Sequence, residues 1–183
     1  MRIHTMIYCF LLGCCFFLYQ HAQAQGVPGD PEKVLPKIYS MYMYHFTKYF
    51  LWPQNTNRDE FVIGILEEKS SEITKALKEM ASTRQVNGQK IVVREYRSLQ
   101  NIDLDCHILY VPFESSNLLS DVLVKTQSRP ILVISAKEGL GKVGSPVNFV
   151  TVNGKPCFEL NEDALKKRVL KFAQQLKAIA ITI

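Results

Sequence analysis

Continuous apolar runs of strand length alternate with helical stripes along most of this chain, and that alternation restricts it to an α/β sheet. The runs are Phe61–Leu66, Lys90–Tyr96, His107–Val111, Pro130–Ser135, Val147–Val152 and Pro156–Leu160. Several are apolar at successive positions rather than at every second one, which marks strands buried on both faces, as in parallel sheets. Between them, Ile73, Leu77 and Met80 share one face of a helix expected over Ser70–Ala81, and Leu118, Leu119, Val122 and Leu123 stripe a second over Ser115–Thr126. Strand–helix–strand succession predicts a single mostly parallel sheet with helices on both faces. Asn153-Gly154 between the last two runs is a strong hairpin signal, so an antiparallel edge hairpin is expected there; Asn87-Gly88 marks a turn.

Two further helices bracket these elements. Asp30 suits an N-cap and Pro31 a first helical position. The chain from about Glu32 to Trp52 then reads as helix, with Pro36 able to disturb it and Pro53 stopping it. Its aromatics fall on several faces, which implies burial on more than one side. A last helix is expected from Asn161 to the end, with Leu165, Val169, Phe172, Leu176, Ile179 and Ile183 at 4-3-4-3-4 spacing. That stripe reads as core packing or as a helix that pairs with another chain. Lys166, Lys167, Arg168 and Lys171 lie mostly off it and read as a solvated face, with an acidic partner or headgroups as the alternative. Apolar content thus concentrates in both terminal helices. Tyr42, Tyr44, Phe46, Trp52, Phe172 and Leu176 are the partner-binding candidates.

The N-terminus has the three parts of a secretory signal. Arg2 and His4 precede the apolar Met6–Leu18, and Ala22-Gln23-Ala24 supplies small residues for cleavage after Ala24. A spanning helix needs roughly 20 apolar residues, more than this run provides. Leu11-Leu12-Gly13-Cys14 resembles a lipobox, but apolar residues continue past Cys14. The expected organisation is a signal peptide at 1–24, a flexible lead at 25–29 and one α/β domain at 30–183. A formal charge of +5 is too weak to argue for nucleic acid, and export argues further against it.

Little in the chain suggests catalysis. Gly139-Leu-Gly-Lys-Val-Gly144 matches the dinucleotide spacing, but Ser145-Pro146 and a strand follow where the fingerprint needs a helix to begin. It reads as a glycine-rich loop. After cleavage the histidines are His45 and His107, far apart and each among apolar residues, so both read as structural, and no metal or cofactor is expected. Glu67, Glu68, Glu114 and Ser135 fall at strand ends, as in a phosphoacceptor pocket. An acceptor aspartate is missing, and carboxylates there serve more simply as helix caps. Cys106 and Cys157 stand in a compartment that permits disulfides. They either close a loop of about 52 residues or remain buried thiols.

Ile38-Tyr-Ser-Met-Tyr-Met-Tyr-His-Phe-Thr-Lys-Tyr-Phe-Leu-Trp-Pro53 resembles the opening helix of the YfiR-like family. Val147-Asn-Phe-Val150, Phe158-Glu-Leu-Asn161, Ala164, Leu170-Lys171 and Gln175-Leu176 resemble its C-terminal signature. Ile63–Leu66, Cys106–Leu109 and Leu132–Ser135 fall between them in the expected order. The resemblance implies a small periplasmic α/β protein without catalysis. Its best-known member binds the periplasmic part of a membrane diguanylate cyclase and represses it, which adjusts cyclic-di-GMP and biofilm formation. Disulfides and dimers accompany the family. Cys106 matches its strand-three cysteine, but that cysteine's usual early partner has no match here, and Gly144-Ser145 stands where many members have Gly-Gly.

Two expectations follow. The first is a periplasmic, non-enzymatic regulator that binds a membrane-bound signalling protein, a diguanylate cyclase or a sensor kinase. The second is a small-ligand-binding protein that uses the aromatic first helix as a pocket wall. A homodimer stays open in either case.

Overall fold

Each apolar run becomes a strand, and alternate side chains along it turn to opposite faces. In β2 (Glu60–Leu66), Ile63 and Ile65 enter one core cluster while Val62 and Leu66 enter another. β5 (Ile108–Val111) divides Ile108 and Tyr110 from Leu109 and Val111 in the same way, and β6 (Leu132–Ser135) divides Leu132 and Ile134 from Val133. The sheet is therefore covered on both sides, which is why these runs do not alternate apolar with polar. The structure, a computed structural model, describes residues 31–53, 59–168 and 170–183. The expected signal segment with Cys14, the lead and Val169 lie outside the described residues. Pro31–Ile183 form one compact unit.

The remaining strands are β1 (Phe50–Leu51), β3 (Gln85–Val86), β4 (Gln89–Tyr96), β7 (Val147–Val152), β8 (Lys155–Leu160), β9 (Lys171–Phe172) and β10 (Ile181–Thr182). Among the described residues, eight strands form one sheet in the order β10-β8-β7-β6-β5-β2-β4-β3. The pairings β2–β4, β2–β5, β5–β6, β6–β7 and β8–β10 are parallel, whereas β3–β4 and β7–β8 are antiparallel.

The sheet is thus mixed, which corrects the expected mostly parallel one. The cause is local. Both Asn-Gly pairs adopt positive φ at both positions (Asn87 50° and Gly88 82°; Asn153 50° and Gly154 73°), the backbone of a tight hairpin turn. The Asn153-Gly154 hairpin is not the edge either, because β10 adds outside β8 with Ile181 beside Glu159.

The helices are α1 (Pro31–Tyr49), α2 (Glu72–Thr83), α3 (Leu119–Thr126), α4 (Leu140–Val143) and α5 (Glu162–Lys166). α1 and α2 pack on one face through Tyr39, Met43, Phe46 and Ile73, Leu77, Met80; α3 covers the other through Leu119 and Val122. The helical period of α1 brings Tyr39 flat onto Phe149 (ring centroids 4.2 Å) and Phe46 edge-on to Phe158 (5.0 Å). Each side chain buried as fully as Phe46 contributes about 1.5–3 kcal/mol of transfer free energy.

The expected long C-terminal helix is not formed. α5 ends at Lys166, and β9, a 3-10 turn over Gln174–Ala178 and β10 follow. Helical spacing is only one way to bury these residues. Leu165, Leu170 and Leu176 reach the core, while Ile179 stays 62% exposed, so the stripe is broken. Pairing of β9 with β1 supplies what helix would not. The Ala173 N–H donates to the Tyr49 carbonyl at 2.8 Å, satisfying an acceptor at the end of α1.

Candidate functional site

β1 and β9 pair antiparallel, Phe50 with Phe172 and Leu51 with Lys171, so the end of α1 and the C-terminal region meet in a small sheet of their own. Beside it opens a cleft of about 870 Å³ whose walls include Tyr44, Lys48, Leu51, Trp52, Phe61 and His107. The Trp52 indole N–H donates to the His107 carbonyl at 3.1 Å, and its ring stands edge-on to Phe61 (5.1 Å). Phe61 in turn stacks on the His107 imidazole (4.4 Å). His107 Nδ1 accepts the Val62 N–H at 3.0 Å, so the neutral ring carries its proton on Nε2. His107 is buried and holds the floor of the cleft, whereas His45 is exposed, its ring near Tyr44, so its structural reading is not supported.

The six partner-binding candidates separate. Phe46 and Leu176, two of the partner-binding candidates, are fully buried and belong to the core. Tyr42 is half-buried; its hydroxyl donates to the Pro156 carbonyl at 3.0 Å, its ring meets Phe158 edge-on, and burial pushes its pKa up. Tyr44, Trp52 and Phe172 remain half-buried around the β1–β9 sheet. Lys48 and Arg84 lie over the Tyr44 ring at 5.2 and 5.4 Å. Leu51, which the sequence did not single out, is 63% exposed at the centre of this surface. The cleft mouth is therefore aromatic, apolar and basic together.

The other constellations do not converge. Glu67 is buried and accepts from the Ser71 hydroxyl (2.7 Å) and from the Thr74 hydroxyl, so it braces the first turn of α2 through side chains and caps no backbone N–H there. Glu68 and Glu114 face an open cleft at the C-terminal strand ends. Ser135 is elsewhere, buried in a polar knot with Ser145 Oγ and Asn148 Oδ1, each at 2.7 Å. Asn148 Nδ2 also donates to the Lys137 carbonyl (2.9 Å) and to Glu159 (2.7 Å), tying β6, β7 and β8 together. Asn161 caps α5 through Ala164 N–H (2.8 Å) and holds the Gly141 carbonyl (2.8 Å). Asn148 and Glu159 are thus residues that apolar periodicity could not reveal, whereas Asn161 stands at the helix start where the sequence placed it. The Gly139–Gly144 segment is a single helical turn, α4, between glycines at φ 84° and 121°, and not a loop.

Cys106 is buried in the cluster under α3, and Cys157 is half-buried on β8. Cys106 sits just ahead of β5, and β6 and β7 lie between β5 and β8. Three strand spacings of ~4.8 Å put the two Cα atoms about 14 Å or more apart, beyond the ~7 Å a disulfide spans. Among the described residues, no group of three or more His, Cys, Asp or Glu is placed to hold a metal ion, and no helix is long and apolar enough to cross a membrane.

Comparison with curated proteins finds none that matches. The family model described as YfiR/HmsC-like matches residues 36–180, from the first turns of α1 to the approach of β10, and so includes both walls of the cleft and the Asn148–Glu159 knot. The chain belongs to the YfiR/HmsC-like family.

Proposed function

We propose that this protein is an exported regulator that binds the periplasmic part of a membrane signalling protein, a diguanylate cyclase or a sensor kinase, and sets its activity. Family membership across residues 36–180 is the observation that carries this reading, since the regulators of that family work outside the cytoplasm rather than as enzymes. The contact surface is the mouth of the α1 cleft, where Tyr44, Leu51 and Trp52 offer apolar area beside Lys48, Arg84 and Lys171. Aromatic anchors rimmed by charge are the usual make-up of an interface hot spot. The matching partner surface is apolar with acidic neighbours. A second reading, capture of a small ligand, draws on the cleft itself, whose volume falls within the ligand range.

Crosslinking in intact cells followed by partner identification tests the proposal. The expected product joins a chain beginning at Gln25 to a membrane cyclase or kinase. Tyr44→Ala with Leu51→Asp is expected to weaken that capture at least tenfold, about 1.4 kcal/mol, with little change in melting temperature. Capture of a transporter, or of no membrane protein, would remove the reading; undiminished capture by the double variant would move the surface elsewhere.

A further inference from the structure

A half-buried guanidinium and the glycine-flanked turn line a second cleft. A cleft of about 500 Å³ opens between the C-terminal end of α3, the α4 turn and the start of α5, and Lys142, Lys167 and Arg168 line it together with Gln127 and Ser128. The sequence placed Arg168 on a solvated helix face. Because α5 stops at Lys166, Arg168 instead turns inward, and its Nη1 donates to Thr126 O (3.1 Å), Thr126 Oγ1 (3.2 Å) and Ile131 O (3.4 Å).

All three acceptors are neutral. Among the described residues no carboxylate forms an ion pair with Arg168. Capping the end of α3 accounts for Nη1 alone, yet the guanidinium is a fork with donors on three nitrogens. Nε and Nη2 have no acceptor among the described residues, and neither is sealed from solvent. Burial with no anion beside it pulls the group's pKa down to about 10. Nη1 thus fixes the half-buried group in place while two donors of the fork stay open toward the cleft, where an anion can accept from both.

The rest of the cleft has the same sign. Asp163 is the one carboxylate among its described lining residues, and Lys166 holds it at 2.9 Å. The exposed ammonium groups of Lys142 and Lys167 add to the Arg168 charge. That surplus matches a phosphate group, which is singly charged as a diester and carries about −1.5 to −2 as a monoester at neutral pH, and which suits a guanidinium fork. We propose that this cleft binds a phosphate-bearing anion, with Arg168 presenting Nε and Nη2 to its oxygens and Lys142 and Lys167 closing on it from either side. Val143 lines the cleft at 60% exposure and sets an apolar side chain beside these cations, so the same chemistry serves two sources, a soluble phosphate ester or an anionic phospholipid headgroup.

The test uses the protein as cells export it. Glycerol 3-phosphate and inorganic phosphate are titrated by calorimetry, and vesicles of phosphatidylglycerol or of phosphatidylcholine alone are co-sedimented with it at 150 mM salt. Saturable binding of the soluble probes without vesicle binding identifies a phosphate ester; retention by phosphatidylglycerol but not phosphatidylcholine identifies a headgroup. In either case Lys142→Ala with Lys167→Ala is expected to weaken binding at least tenfold at unchanged melting temperature, since both side chains are exposed. Arg168→Gln should abolish it, and because that variant also uncaps α3, the lysine pair keeps the test independent of folding. Failure of every probe to bind, or equal binding by the lysine double variant, would overturn the proposal.

Discussion

The Trp52 indole N–H and the Leu132 backbone N–H converge on the His107 carbonyl, at 3.1 and 2.9 Å. The chain after α1 is thereby tied to the place where β5 and β6 begin. Because Leu132 remains as a donor, Trp52→Phe does not orphan a buried carbonyl, and the expected loss is only that of one hydrogen bond, about 1 kcal/mol. Trp52→Ala also removes the ring from Phe61 and should cost more. Urea unfolding of both variants measures the difference; equal losses would mean that the ring contributes nothing.

Gly64 and Tyr96 share a tight space in the sheet. A Cβ on Gly64 would run into Tyr96 Cε2, with Tyr96 Cδ2 and Leu109 Cδ1 at 3.2 and 3.3 Å. Gly64→Ala is therefore expected to destabilise by about 1–3 kcal/mol through overpacking. The Tyr96 hydroxyl is buried with no hydrogen bond of good geometry among the described residues, its polar neighbour being Arg94, and burial pushes its pKa up. Tyr96→Phe should accordingly leave stability unchanged or raise it by up to about 1 kcal/mol. A large loss in that variant would show that the hydroxyl has an acceptor in solution.

Glu95 gives the acid limb of stability a specific source. The Lys78 ammonium and the Ser70 hydroxyl hold its carboxylate, and Lys78 and Arg97 add their charge, so its pKa is lowered on folding. A carboxylate with a lowered folded pKa stabilises above its unfolded value of about 4.3, and the benefit fades as pH falls through the folded value. Glu95→Gln should reduce stability at pH 7 and flatten its decline below pH ~4.3. Thermal melts of both proteins from neutral to acid pH check this, and parallel curves would refute it.

The cysteine geometry predicts that alkylation of the native protein modifies the half-buried Cys157 and leaves the buried Cys106 untouched. A non-reduced digest should contain no peptide linking the two. Its presence would mean that β6 and β7 do not separate β5 from β8.

How far the sequence reached depended on how many residues each feature spans. β2, β5 and β6 were legible because burial on both faces writes itself as an unbroken apolar run. β1, β3, β9 and β10 are two residues each, too short to show any period, and they decide the edges of the large sheet and the small one. The hairpin at Asn153-Gly154 was readable from its dipeptide, but its interior position depends on Ile181 and Thr182, which looked helical. At the site, aromatic density drew attention to α1, yet density does not say which way a ring faces. Phe46 goes to the core and Tyr44 to the cleft mouth only two residues away. Arg168 was misplaced for a related reason, since its orientation follows from where α5 stops.

Phe50 and Phe172 lie about 120 positions apart, and a contact of such separation forms late because nearly the whole chain must be collected first. The β1–β9 register therefore closes only once the chain has been made through Phe172. A product truncated ahead of Lys171 has no strand to lay against Phe50 and Leu51. Until the ribosome has passed Phe172, the backbone donors and acceptors of Phe50 and Leu51 wait for a strand that lies about 120 residues downstream.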